Sequence, residues 1–378
     1  MSVEVKALEP TRRNLLDYVH FGIDLYKGND YFVPPLVIDE MATLDPKKNP
    51  AFDHCDAQMF MAYRDGKPVG RITAIINRLA NEKYNNLAIR FGFMDFIDDD
   101  EVVDALFSAI VAWGRDRGCT SMVGPMGFSD LDREGMLVDG FDQMSTMATI
   151  YNYPYYVKHM ERMGFEKDAD WVEFKIYVPE GGILPEKFVR IAQIVQKKFN
   201  LKIKKYTDRK KLRDDYGQAL FALINEAYAN LYGYVPLTPR QIDHYISEYL
   251  GILRLDNISV VTDADDQLVA VGISMPSLSQ ALRKSGGKLL PFGWWHLLRA
   301  IKGHSKVVDL MLVAVKPEYQ SKGVNALLFN DLEPIYYQCG YEYAESNPEL
   351  EVNENVQRQW EYFEHTQHRR RRAWRRSL

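Results

Sequence analysis

Only three cysteines, Cys55, Cys119 and Cys339, occur in the 378-residue sequence, and none has a partner at the spacing that a zinc site or a redox dithiol uses. The expectation is three buried thiols in a reducing compartment, with no metal centre. No apolar run approaches the length of a membrane-spanning helix. The opening residues Met1–Lys6 have neither the basic flank nor the apolar core of a secretory signal. Together these absences give the expectation of a cytoplasmic protein. Positive charge is not in excess: 47 Lys and Arg against 52 Asp and Glu leave a net charge of -5, which argues against general attraction to nucleic acid. What is present is an ordinary globular composition, 46% hydrophobic and 26% charged, in a chain long enough for two cores.

Periodicity divides the chain into two halves with the same order of elements. In the first, Val3–Lys6 alternates, Thr11 caps a helix running through Leu25, and Pro34, Pro35 and Pro46 mark the next stretch as loop. A hairpin follows, with strands over 60–63 and 69–76 joined through Asp65-Gly66. Then come a strand at 91–96, a helix at 101–117 closed by Gly118, a strand at 120–123, a helix at 152–163 and a strand at 171–177. The second half repeats the series: strand 202–206, helix 211–231, hairpin 259–262 with 268–275, strand 307–315, helix 325–337, strand 341–345, helix 353–363 and strand 370–374. Val178-Pro179-Glu180-Gly181-Gly182 is the linker between them, with Pro185 opening the next helix. The domains are therefore expected at 1–178 and 179–378.

The segment with chemical content is Val313-Ala314-Val315-Lys316-Pro317 followed by Gln320-Ser321-Lys322-Gly323-Val324-Asn325. A buried strand ends, a tight loop follows, and a helix starts. Backbone amides at a helix start are unpaired and the helix dipole adds positive charge, so such a turn cradles a phosphate, with glycine permitting close approach. Gln320 and Lys322 can add side-chain donors.

This pattern resembles the Gln/Arg-x-x-Gly-x-Gly/Ala loop of the GNAT superfamily of N-acetyltransferases, which holds the pyrophosphate of coenzyme A; Asn325 departs from it, standing where glycine or alanine is usual. The resemblance implies an α/β (α+β) fold of two GNAT-like domains in tandem, each a mixed, mostly antiparallel twisted sheet flanked by helices. It also implies acetyl-CoA or another acyl-CoA as co-substrate, with the pantetheine arm pairing along Val313, Ala314 and Val315, and Tyr341–Glu345 across the cleft. At the matching place in the first half, Asp98-Asp99-Asp100-Glu101 would repel a pyrophosphate. That domain is accordingly expected to lack the CoA loop. Its Tyr155-Tyr156 pair suits either core packing or an acceptor pocket.

Transfer of an acyl group to an amine needs a base for the amine, polarisation of the thioester carbonyl and a proton for the departing thiolate. The resemblance implies a tyrosine acid on the late helix at a fixed interval after an asparagine. Counting from Asn353 reaches Trp360, which has no proton to give; counting from Asn355 reaches Tyr362, the candidate acid. Glu345, at a strand end facing the cleft, is the candidate base, and Glu226 is an alternative.

Two further segments carry expectations. Lys288–Lys302, with Trp294 and Trp295 among leucines and cations, suits an interfacial helix, a lid over an apolar pocket, or a helix packed on the other domain. The arginines of 369–376 fall on the last strand and are read as structural, pairing with acids such as Glu349, Glu351 or Asp309. The functional expectation is an acyl-CoA-dependent N-acyltransferase working by direct transfer, most simply of acetyl, to a small-molecule or lipid-like amine. A non-catalytic acyl-CoA-binding regulatory module and a long-chain acyltransferase in peripheral contact with a membrane are the alternatives.

Overall fold

The computed structural model describes residues 2–249 and 253–378. The chain forms β1 (Glu4–Leu8), α1 (Arg12–Leu25), α2 (Val37–Leu44), β2 (Cys55–Arg64), β3 (Lys67–Asn77), α3 (Arg78–Lys83), β4 (Ala88–Phe96), α4 (Asp100–Arg115), β5 (Ser121–Gly124), β6 (Met136–Asp139), α5 (Tyr155–Arg162) and β7 (Glu166–Tyr177). It continues through α6 (Glu186–Lys198), β8 (Lys202–Lys204), α7 (Arg209–Ala227), α8 (Pro239–Tyr249), β9 (Ile258–Thr262), β10 (Leu268–Pro276), α9 (Ser279–Ser285) and α10 (Gly293–Arg299). The last elements are β11 (Val307–Val315), α11 (Asn325–Gln338), β12 (Tyr343–Glu345), β13 (Glu349–Leu350), α12 (Glu354–Gln357) and β14 (His365–Ser377).

Contacts divide these elements into two units. One comprises Met1–Val172, Ser279–His296 and Arg369–Leu378; the other comprises Glu173–Leu278 and Leu297–His368. A piece of the second half, Ser279–His296, and the chain end, Arg369–Leu378, belong to the first unit.

The first unit has the sheet order β1-β2-β3-β4-β5-β14. All neighbours are antiparallel except β4 and β5, which are parallel and joined over one face by α4. Side chains alternate along β2 and β3. Phe60, Ala62, Ile72 and Ala74 pack with Leu106 and Ile110 of α4, whereas Met59, Met61 and Ile75 pack with Leu15, Tyr18 and Val19 of α1. The hairpin turn uses positive φ at Asp65 (53°) and Gly66 (74°), the geometry that matches strand twist. Between α1 and the sheet, Arg71 is buried with its Nε 2.7 Å from Asp95 and its Nη1 2.8 Å from Glu40. Gly22 of α1 makes room for it: a Cβ there would stand 2.2 Å from the guanidinium.

The second unit repeats the plan with the order β7-β12-β11-β10-β9-β8. Here β11 and β12 form the parallel pair, joined by α11. In each unit the strand after the parallel pair is antiparallel to it: Trp374–Ser377 of β14 against Ser121–Gly124 in the first, and Lys175–Tyr177 of β7 against Tyr343–Glu345 in the second.

The expected elements are present with shifted ends, and three readings need correction. The stretch after Pro34-Pro35, read as loop, holds α2, which buries its own Val37, Glu40 and Leu44. Between the strand expected at 120–123 and the helix expected at 152–163, where the periodicity predicts no element, β6 pairs with β14. The single helix expected over 353–363 is a four-residue α12 followed by a 3-10 stretch, Arg358–Tyr362, so a count at helical spacing does not fix where Tyr362 points. Cys55 and Cys119 are buried and Cys339 is partly so; burial pushes the Cys55 thiol up to about 12.

Candidate functional site

A splayed strand pair is the central feature of the second unit. The β11–β12 ladder consists of Val307↔Tyr343, Val308↔Ala344 and Asp309↔Glu345, and ends there. β11 runs on to Val315 beside β10 alone. The divergence has a local cause: Ile273 pairs with Leu312 and Ser274 with Leu310, so Met311 is an extra residue on β11, and a bulge of this kind bends the strand carrying it. Lys316 donates its amide to Val269 on the β10 side, and alternation then turns the backbone groups of Met311, Val313 and Val315 toward the gap.

Side chains occupy the three carbonyls on that edge. Asn347 Nδ2 donates to Met311, the Tyr228 hydroxyl donates to Val313 at 2.9 Å, and Gln320 Nε2 donates to Val315 at 3.0 Å. Each carbonyl retains a second lone pair, and the matching amides have no ladder partner on this side.

The open edge leads directly into the loop singled out in the sequence. Pro317–Tyr319 makes a 3-10 turn; Ser321 (φ 58°) and Gly323 (φ 81°) are left-handed, while Lys322 between them is not. Such alternation of hand forms an anion-binding nest. The amides of Ser321, Gly323, Val324 and Asn325 have no hydrogen-bond acceptor among the described residues, and α11 begins at Asn325. Ser321 and Lys322 are exposed and Gly323 is half-buried, so the turn is not sealed. A Cβ on Gly323 would meet Ile191 and Val195 of α6 at 3.2 Å, besides the strain of its φ. Lys322 Nζ lies 5.6 Å from the Phe199 ring centre and 5.9 Å from that of Tyr319. Gln320 is committed to the Val315 carbonyl at the end of β11, and Asn325 turns its amide toward Gln359, 3.3 Å away.

Where the splay begins, charged side chains converge. Glu345 is buried at 6% exposure and lies 2.9 Å from His368 Nε2; Asp309, its ladder partner, is 2% exposed. Lys175 is the antiparallel partner of Glu345 on β7, which places their side chains on one sheet face. The sequence indicated Glu345 but not His368 or a site role for Asp309. What could have found Asp309 is an acid inside an otherwise apolar strand; His368 is hidden in the arginine run. Tyr362 packs against Phe188 of α6 at 5.7 Å, with Lys187 over its ring at 5.3 Å. Trp360, the other counted position, donates its indole N–H to both oxygens of Glu349, at 3.0 and 3.2 Å, and burial pushes the Glu349 carboxyl up to about 8. Glu226 is exposed on α7.

The first unit treats the same places differently. Its β4–β5 ladder also ends early, at Arg90↔Val123, beside a bulge at Phe93 (φ 45°). There, however, the Phe96 amide donates to the Tyr156 hydroxyl at 3.0 Å and its carbonyl accepts from Tyr155 at 2.6 Å. The two tyrosines take the core role and occupy the strand edge. At the start of α4, Asp99 caps the helix and pairs with Arg64 at 2.7 Å; His159 lies 2.9 Å from Asp98 and Arg162 2.9 Å from Asp100. The protein's own carboxylates thus fill the anion position. Along β14, Arg370 and Arg372 meet Asp170 at 3.0 and 2.8 Å. Among the described residues no group of acids, histidines and cysteines is arranged to hold a metal.

The fold so defined is that of a tandem GNAT protein. A tandem GNAT protein from the clavulanic acid biosynthesis pathway, solved without acetyl-CoA, superposes with a TM-score of 0.58 over 100% of this chain and 98% of its own, at 11% identity. In sequence, the chain is 28% identical over 318 residues to protein YghO of Escherichia coli, covering 84% of this chain and 80% of that one. It is 29% identical over 296 residues to a bacterial ceramide synthase of Caulobacter vibrioides, covering 77% and 74%. No family model matches the sequence.

Proposed function

We propose that the chain is an acyl-CoA-dependent N-acyltransferase whose reaction centre is the splayed pair β11–β12 of the second unit. The observation that carries this reading is a strand edge with no ladder partner, Leu310–Val315, running into a loop whose four amides have no acceptor among the described residues. A pyrophosphate would lie on the amides of Ser321–Asn325, with Lys322 alongside. The amide-rich pantetheine arm would add to Met311–Val315 as a strand does, using the free amides and second lone pairs of that edge. Its thioester would then reach the Val313–Val315 stretch, where an inward-facing amide polarises the carbonyl.

Glu345, with His368 2.9 Å away, takes the proton of the attacking amine. The nitrogen bonds to the acyl carbon, the carbon–sulfur bond breaks, and the thiolate of CoA leaves needing a proton. Tyr362 is the proposed donor. It lies on the segment held to the start of α11 by Gln359–Asn325 and by packing of Trp360 on Phe329. In the first unit, Tyr155, Tyr156 and the acids of 98–101 already occupy the equivalent positions, so it is assigned no CoA.

The acceptor is proposed to be a lipid-like amine. The name of the Caulobacter relative supports this, since a ceramide is the amide of a long-chain amino alcohol. The test is thiol release from acyl-CoAs of increasing chain length, each offered simple amines and long-chain amino alcohols. Release that requires both partners, and is lost in Glu345→Gln, is the expected result. CoA binding without release, for every acceptor, would leave a non-catalytic binding module instead.

A further inference from the structure

Residues 267–308 contain six Lys and Arg and no Asp or Glu, in a chain of net charge -5. In the middle of this stretch, inside the part that belongs to the first unit, four large apolar side chains stand in solvent within six positions. Leu290 is 76% exposed, Phe292 69%, Trp294 50% and Trp295 43%. Scattered exposed hydrophobics are ordinary, but a contiguous set on one loop is not.

The loop is held firmly from below. The Val37 amide donates to Gly287 at 2.9 Å, Arg283 bonds the Asn29 carbonyl and Asp30 at 3.4 Å, and Gly287 lies so close to Pro35 that a Cβ would stand 2.1 Å from its carbonyl oxygen. Inside the loop, the Trp294 amide donates to Leu289 at 2.9 Å, and Gly293 leaves no space for a Cβ beside Lys288. The apolar tips are therefore presented by a built turn. The Trp294 indole N–H donates to the Pro291 carbonyl at 3.1 Å. Moving that ring into an apolar medium would leave no unpaired donor behind.

We infer that Leu290–Trp295 is a tip that docks the protein on an anionic lipid bilayer. The charge pattern selects this occupant. Lys284 and Lys288 flank the tip, exposed and without a carboxylate partner among the described residues, whereas Arg283 is already paired. A second copy of the loop would bring like charges together, while an anionic headgroup layer complements them. An indole ring with a satisfied N–H, as Trp294 has, suits the headgroup boundary, and lysines over a shallow apolar tip are what an interfacial anchor presents. No helix among the described residues is long and apolar enough to cross a membrane. The inference is independent of the acyltransferase reading, because its readout is binding to lipid.

The experiment is sedimentation of the full chain with phosphatidylcholine vesicles, with and without phosphatidylglycerol, at low and high salt. Wild type should pellet with the anionic vesicles, less at high salt, and its tryptophan fluorescence should shift to the blue and be quenched by brominated acyl chains. Trp294→Ala/Trp295→Ala should lower partitioning about tenfold or more. Lys284→Glu/Lys288→Glu should abolish the preference for phosphatidylglycerol. Unchanged melting temperatures establish that both variants fold. Wild type staying in the supernatant, partitioning unaltered by the tryptophan change, or a concentration-dependent dimer that this change dissolves would overturn the inference.

Discussion

The indole of Trp360 donates to both carboxylate oxygens of Glu349, at 3.0 and 3.2 Å, on the segment that packs over the start of α11. A position that could have held a proton donor holds a residue that manages a neighbouring carboxyl instead. Burial dominates that carboxyl's titration and places it at about 8, with the indole bond pulling the other way. The same burial effect sets Glu333 of α11 at about 8.

The consequence for stability has a definite sign. A carboxyl raised from 4.5 to about 8 on folding holds a proton in the native state that the unfolded chain has released, so stability is full below pH 4.5 and falls as pH rises toward 8. Each group contributes a slope of at most about 1.4 kcal/mol per pH unit. Urea denaturation at pH 6 and pH 8.5 should show wild type losing stability. Glu333→Gln should lose distinctly less, and an identical loss in both would remove burial of Glu333 as the cause.

Asp99 caps α4 and is held by Arg64, with its carboxyl drawn down to about 2 by the guanidinium's hydrogen bonds. Asp99→Ala should cost about 1 kcal/mol of stability from the lost cap. It should leave the affinity for CoA unaltered, because this helix start is assigned no nucleotide. Calorimetric titration with CoA measures the second part, and a weakened affinity would contradict that assignment.

Glu345→Gln and His368→Phe both alter the buried pair at the beginning of the splay. Turnover in Glu345→Gln should fall by about 10²–10⁴-fold with CoA affinity retained, as expected for loss of a general base. His368→Phe should move the pH dependence of kcat as well as lower it. Equal loss of binding and turnover in both would instead mark the pair as structural.

Much of this arrangement could be read from the residues alone. The order of elements followed from periodicity, because β2, β3, β10 and β11 bury alternate or continuous apolar faces, and Thr11 does cap α1. The loop at 320–325 could be placed because its backbone geometry is local, set by Ser321, Gly323 and the start of α11. Long-range pairing could not. That Trp374–Ser377 completes the first unit's sheet, and Lys175–Tyr177 the second's, depends on which edges are open once both sheets exist. The contact of His368 with Glu345 is likewise long-range in sequence. The break of the late helix after Gln357, which decides where Tyr362 points, left no proline or glycine in the sequence to announce it.

The nest at Ser321–Asn325 is the feature on which the proposed reaction rests, and native mass spectrometry of freshly purified protein tests it most directly. Wild type should carry CoA or an acyl-CoA, its added mass reporting the acyl group. Gly323→Val should carry none, since the φ of 81° and the contacts with Ile191 and Val195 exclude a branched side chain without moving the loop. Equal occupancy of the folded variant and the wild type would place the nucleotide elsewhere and contradict the account.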